Sequence, residues 1–153
     1  MSIIKDLRPI DVLLVEDNPG DVRLTEEALK IGKVANNLVV AQDGLEALDI
    51  LHQRGKFKDA MVPDMILLDL NLPKVDGREV LRDIKKDEDL KRIPVIVLTT
   101  SQNEQDILKA YGLHANCYIT KPVDLDDFIN AVRMIENFWL SIVRLPNKAA
   151  ERE

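Results

Sequence analysis

Apolar residues come along this chain in short blocks, set between longer stretches in which they recur every three or four positions. The blocks are VLLV (12–15), LVVA (38–41), MILL (65–68), VIVL (95–98) and the weaker CYIT (117–120). All but the last are continuous rather than alternating, as strands covered on both faces should be. Between them Gly32, Gly55 and Gly112 each follow a helical pattern where a C-cap glycine belongs. Asp17 or Asn18, Asp43 and Asp124 stand where N-caps belong. Near the end, Phe128, Val132, Ile135, Trp139 and Ile142 form an amphipathic stripe. The pattern predicts a strand-helix pair repeated five times. Such alternation implies an α/β fold, with a parallel sheet, helices on both faces and right-handed crossovers.

One domain over residues 1–145 accounts for the pattern, with a loose polar tail, PNKAAERE, over 146–153. Residues 53–63, QRGKFKDAMVP, read as a connection between the second helix and the third strand. Hydrophobic residues make up 46% of the 153 and charged residues 31%, enough apolar material for a real core. A net charge of −6 argues against a nucleic-acid surface. The single cysteine, Cys117, excludes an intramolecular disulfide and fits a reducing compartment. The opening MSIIKDLRPID lacks the apolar core of a signal peptide, and no run approaches the roughly 18 residues of a membrane span. A cytoplasmic domain is expected.

The polar residues that close these blocks carry the chemistry. VLLV ends in Glu16-Asp17, MILL in Asp69, VIVL in Thr99-Thr100-Ser101 and CYIT in Lys121-Pro122. In open parallel sheets the ligand site lies beyond these carboxyl ends, near the point where strand order reverses. The second strand, ending in Gln42-Asp43, contributes no comparable group, as expected of an edge strand. Carboxylates converging there repel one another, by about 4 kcal/mol per pair at about 4 Å and an effective dielectric near 20. A raised pKa, Lys121 or a bound cation must offset this. Carboxylate oxygens are hard ligands and suit Mg²⁺, which keeps waters and favours phosphate-bearing partners. A lysine and a threonine hydroxyl on the opposite rim would meet phosphoryl oxygens. Asp69 is then a candidate oxygen nucleophile toward phosphorus.

With VLLVEDNPGD, ILLDLNLPKVDGREVL, VIVLTTS and CYITKPVD in this order, the sequence resembles the receiver domain of two-component response regulators over residues 10–143. The separations of Asp69, Thr99 and Lys121 are typical of that family. The interval from Asp17 to Asp69 is longer than in minimal receivers, and the excess falls around 53–63. The wording LHANCYITKP and the ending IENFWLSIVRLP look most like small stand-alone receivers paired with bacterial phytochrome kinases.

The resemblance implies a flavodoxin-like doubly wound sheet in the order 2-1-3-4-5. It implies that Asp69 accepts a phosphoryl group from a sensor histidine kinase. Mg²⁺ would lie on Asp17, Asp69 and the Asn71 backbone carbonyl, with Glu16 acting through water. Glu16 departs from the second aspartate common in the family. Thr99, the Thr100 N–H and Lys121 would bind phosphoryl oxygens. Thr99 would move to do so, vacating space for Tyr118, so that the face of the fourth helix, fifth strand and fifth helix changes its partner affinity. A cis Lys121-Pro122 peptide and slow self-dephosphorylation, tuned at Asn71 and Ser101, also follow from the family.

Two other readings compete. A phosphatase of the haloacid dehalogenase type also uses a strand-end aspartate, but expects a second aspartate where this chain has Asn71. A degenerate receiver would bind partners without phosphorylation, against which the full acidic set argues. Each residue also has an ordinary role open to it: Glu16-Asp17 as a helix cap, Asp69 in a turn, Thr99 as a strand end, Lys121 as a solvated charge, Tyr118 as core or rim. Their joint placement favours the site. His52 and His114 share no ligand spacing and are expected at the surface or at helix ends. Cys117 is expected to be a small buried hydrophobe. A homodimer is expected through the last helix or strand and the neighbouring face, from Phe138-Trp139, Ile142 and Leu145. No DNA-binding effector is expected, since few residues follow Pro122, and no membrane partner, since no apolar run is long enough to span one.

Overall fold

The computed structural model describes residues 9–31, 35–121, 124–134 and 137. Its strands are β1 (Ile10–Val15), β2 (Asn36–Ala41), β3 (Met65–Asp69), β4 (Val95–Thr99) and β5 (Cys117–Thr120). Its helices are α1 (Pro19–Ile31), α2 (Gly44–Leu51), α3 (Gly77–Lys86) and α4 (Gln102–Ala110). Residues 125–134 are also helical and form α5. Short 3₁₀ turns at Gly55–Phe57 and Leu90–Arg92 sit in the connections before β3 and β4.

The strands pair in parallel in the order β2-β1-β3-β4-β5. This is the doubly wound order expected, and the reversal falls between β1 and β3. Every residue of β3 and of β4 is buried, which explains why those blocks are apolar without alternation. Successive side chains still point to opposite faces. Ile66, Leu68, Val95 and Val97 enter one core with Val80, Leu81 and Ile84 of α3. Met65, Leu67, Ile96 and Leu98 enter the other, with Ala28 and Leu29 of α1 and Phe128 and Val132 of α5. Burying a leucine or isoleucine in this way contributes about 1.5–3 kcal/mol. The central strands are therefore anchored on both sides right up to their polar ends.

Most of the expected caps are present. Asn18 Oδ1 accepts the Asp21 N–H at 3.0 Å, so Asn18 rather than Asp17 caps α1. Asp43 accepts the Glu46 N–H at 2.8 Å, and Asp124 Oδ1 accepts the Asp126 N–H at 2.8 Å. Gly112 takes the left-handed conformation, φ 73°, after α4. Helix α2 differs from the expectation. It stops at Leu51, and Gln53 makes the left-handed turn at φ 53°, with Gly55 at φ 56° opening the following 3₁₀ turn. The Gln53 side chain donates to Ala60 O at 2.6 Å, a local bond that supports this turn. Gly32, Pro122, Ile135, Phe138, Trp139, Ile142, Leu145 and the tail 146–153 lie outside the described residues. Among the described residues, no helix is long and apolar enough to cross a membrane.

One close approach fixes the end of β3. A Cβ on Gly77 would stand 2.4 Å from Asp69 O and 2.5 Å from Leu70 Cα. Only glycine lets the first turn of α3 lie directly on the backbone that carries Asp69, and its N–H bonds Leu70 O at 3.2 Å. Overpacking against backbone costs about 1–3 kcal/mol. Gly77→Ala is expected to lower the urea midpoint by a corresponding amount. A midpoint equal to wild type contradicts this contact.

Candidate functional site

Because β1, β3 and β5 run in the same direction, their carboxyl ends open on the same side of the sheet. Glu16 follows β1 and is only 1% exposed; Asp69 ends β3 and is 2% exposed. Glu16, Asp17 and Asp69 each present a carboxylate oxygen, all within 4.8 Å of one another. Asp17 is exposed and forms the open side of this cluster.

Lys121, just past β5, points its ammonium into the group. Its Nζ lies 2.9 Å from Asp69 Oδ2, 3.1 Å from Glu16 Oε1 and 3.0 Å from Asp21 Oδ2. The Lys121 backbone N–H donates to Thr99 O at 2.7 Å, so the β4 end fixes the residue whose side chain reaches across to β3 and β1. The Asp69 carboxylate is held from its own chain as well, since Oδ1 accepts the Asn71 N–H at 3.0 Å. Glu16 Oε2 accepts the Asn18 N–H at 3.2 Å.

These contacts set the charges. Burial, then the hydrogen bond and charge of Asp69, push the Glu16 carboxyl up from 4.5 to about 7, against the opposing pull of Lys121. Burial disfavours the charged form of Lys121. Its bonds to Asp69, Asp21 and Glu16 more than offset this and hold the ammonium above its ordinary value. One cation thus serves three carboxylates, and the site keeps an excess of negative charge. Clustered hard oxygens of this kind fit a divalent cation.

The other expected residues are placed as follows. Thr99 is fully buried. Its single hydroxyl proton has Glu104 Oε1, at 2.6 Å, as the nearer acceptor and Ser101 O, at 3.1 Å, as the farther. The Thr100 N–H and hydroxyl reach the same Glu104 oxygen, at 2.8 and 2.9 Å. Thr99 and Tyr118 share a sheet face, by the alternation along β4 and β5 and the packing of Tyr118 with Val95 and Val97. Tyr118 is half-buried; its hydroxyl accepts the Ala115 N–H at 2.9 Å, and Lys109 Nζ sits 5.0 Å from its ring centre. The structure therefore gathers Glu16, Asp17, Asp69 and Lys121 tightly, with the Asn71 backbone against Asp69. It holds Thr99 and Thr100 on Glu104 and Tyr118 on the neighbouring loop.

Two site residues were not anticipated. Asp21 lies within VLLVEDNPGD, in the first turn of α1, and its position there was the available signal. Glu104 lies three residues after Ser101, the capping-box spacing, and Ser101 Oγ does accept the Glu104 N–H at 3.2 Å. The Glu104 carboxylate reaches Thr99 and Thr100 instead of the cap's own N–H. The histidines stay apart from the site. His52 ends α2, with Nε2 2.5 Å from Asp83 Oδ2, and His114 is exposed. Cys117 is half-buried.

The family model of the response regulator receiver domain matches residues 12–133. Response regulator Rcp1 of Synechocystis sp. is 52% identical over 138 residues, covering 90% of this chain and 94% of that protein. The crystal structure of Mn²⁺-bound Rcp1 superposes with a TM-score of 0.74 over 86% of this chain and 95% of its own, at 52% identity. That of the phosphorylated cyanobacterial phytochrome response regulator RcpA gives 0.76 over 88% and 96%, at 53% identity.

The raised Glu16 carboxyl makes stability depend on pH. Below 4.5 the proton is bound in both folded and unfolded chains, and between 4.5 and about 7 only the folded chain retains it. The stability contributed by Glu16 is therefore full at low pH and declines as pH rises through that window. In urea titrations without divalent cation, the stability of wild type relative to Glu16→Gln should fall from pH 4.5 to about 7 and level off above it. A difference that rises over the same range contradicts the buried, charge-crowded placement.

Proposed function

The chain belongs to the receiver domains of response regulators, and from that premise we propose that Asp69 accepts the phosphoryl group of a sensor kinase's phosphohistidine. The observation that carries this is the contact of Lys121 Nζ with Asp69 Oδ2, at 2.9 Å, inside a carboxylate cluster beyond the strand ends. RcpA, a phytochrome response regulator similar over nearly its whole length, supports a phytochrome-like kinase as the donor.

Glu16, Asp17 and Asp69 fit a hard divalent cation, and Mg²⁺ is the ion of choice for an oxygen set facing phosphate. The Asn71 backbone carbonyl completes the proposed set. When bound, Mg²⁺ supplies the positive charge that Lys121 alone cannot. An oxygen of ionised Asp69 attacks phosphorus. The P–N bond to the donor imidazole breaks, its electron pair stays on nitrogen, and that nitrogen takes up a proton. The product is an acyl phosphate on Asp69. Lys121 then shares its protons with phosphoryl oxygens, and the Thr99 hydroxyl and Thr100 N–H bind others. Slow return to the free acid proceeds by water attack at phosphorus, past Asn71 and Ser101.

The added charge of about −1.5 to −2 is the signal. Thr99 leaves its present acceptors, and Tyr118 gives up its bond from Ala115 and turns on the shared sheet face. The surface of α4, β5 and α5 changes, and with it the affinity for a protein partner. The homodimer proposed through the last helix draws on that region; its aromatic residues Phe138 and Trp139 lie outside the described residues. The receiver family leaves the phosphatase reading without support, and residue 71 is an asparagine where that chemistry needs an acid.

Incubation with acetyl phosphate and Mg²⁺ should add the mass of one phosphoryl group to the intact protein, and none to Asp69→Asn. Undiminished labelling of that variant, or no labelling of wild type, overturns the assignment. Sedimentation of the protein treated with beryllofluoride and Mg²⁺ should give a dimer at micromolar concentration. A monomer with and without the analogue contradicts the proposed self-association.

A further inference from the structure

Glu104 holds the two donors that a phosphoryl group on Asp69 would claim. Its Oε1 accepts the Thr99 hydroxyl at 2.6 Å and the Thr100 N–H at 2.8 Å, and the Thr100 hydroxyl at 2.9 Å besides. Thr99 is fully buried, so its hydroxyl exchanges one protein acceptor for another rather than for bulk water. Bonds to an ionised carboxylate are roughly twice as strong as neutral ones. Glu104 itself is anchored, since Ser101 Oγ accepts its backbone N–H at 3.2 Å in the first turn of α4.

We propose that Glu104 is a positioning residue that latches Thr99 and Thr100 in the resting state, an internal acceptor with which the phosphoryl group must compete. The latch rests on the assignment of Asp69, Thr99 and Thr100 made above. It has two consequences. It raises the free energy of the phosphorylated conformation, because the competing bonds must break. It also ties the first turn of α4 to the end of β4 at rest. Phosphorylation frees that turn as the two donors change partners, which couples the chemistry to the output face.

Beryllofluoride with Mg²⁺ mimics the phosphoryl group at equilibrium, and its affinity for the full chain can be read by calorimetry. Glu104→Ala should bind it about tenfold more tightly than wild type, the loss of charge-assisted competition for two donors. Glu104→Gln, which keeps an uncharged acceptor and the same bulk, should fall between them. It also serves as the folding-safe variant should alanine disturb the helix start. In a Thr99→Ala background the gain from Glu104→Ala should shrink to about threefold or less, since only the Thr100 N–H remains to be released. Asp106→Asn, which removes the same charge from the same helix, should change affinity less than about twofold.

Equal gains from Glu104→Ala with Thr99 present and in the Thr99→Ala background, or an equal gain from Asp106→Asn, would mean simple charge repulsion and overturn the latch. So would wild-type affinity in both Glu104 variants. Failure of wild type itself to bind beryllofluoride would instead sink the phosphoacceptor assignment, and the latch with it.

Discussion

One ammonium group is shared among three carboxylates at the end of a buried sheet. Lys121 Nζ lies within 3.1 Å of oxygens from Glu16, Asp21 and Asp69. Two anions about 4 Å apart repel by about 4 kcal/mol at an effective dielectric near 20. Lys121 offsets part of this, while burial first and then Asp69 push the Glu16 carboxyl upward. The excess negative charge is what gives a divalent cation and then a phosphoryl group their place. A neutral, fully paired site would have no such opening.

Such crowding persists only on a rigid support. The five parallel strands supply it, with β3 and β4 buried along their whole length and packed on both faces. Their order places β1 and β4 on either side of β3, so Glu16 stands beside Asp69 and Thr99 lies one residue past Leu98, the register partner of Asp69. Edge strand β2 leads instead into Asp43, two residues past its end, which caps α2 and pairs with Lys74 of the β3–α3 connection at 3.4 Å. Alternation along the strands separates duties further. Asp69 falls on the side of Leu67 and Met65, whereas Thr99 falls on that of Val97 and Tyr118. Charge is handled on one side of the sheet plane and the groups proposed to switch lie on the other, joined by the Lys121 N–H to Thr99 O bond.

Much of this was legible in the chain because burial on both faces leaves so strong a mark. A continuous apolar block that stops at an acid or a threonine locates a strand end to within a residue or two, and Asp69 and Thr99 proved to be the last residues of β3 and β4. Lys121 was found by the same rule. Less legible were groups whose role depends on side-chain reach. Asp21 and Glu104 sit in first turns of helices, where an acid has an ordinary reason to be. Only the fold shows that one meets Lys121 and the other Thr99. The end of α2 was misplaced for a similar reason. A glycine is the usual left-handed residue, but a local bond from the Gln53 side chain to Ala60 O supports that turn two residues earlier.

The claim beneath all of this is that phosphorus becomes attached to the carboxylate at the tip of β3. An acyl phosphate is reduced by borohydride to an alcohol, which marks the modified residue permanently in the peptide chain. After labelling with a phosphorylated histidine kinase, reduction and peptide mapping should place the single new homoserine at residue 69. A reduced side chain at position 16, 17 or 21 instead, or label that survives only on histidine, would contradict the account.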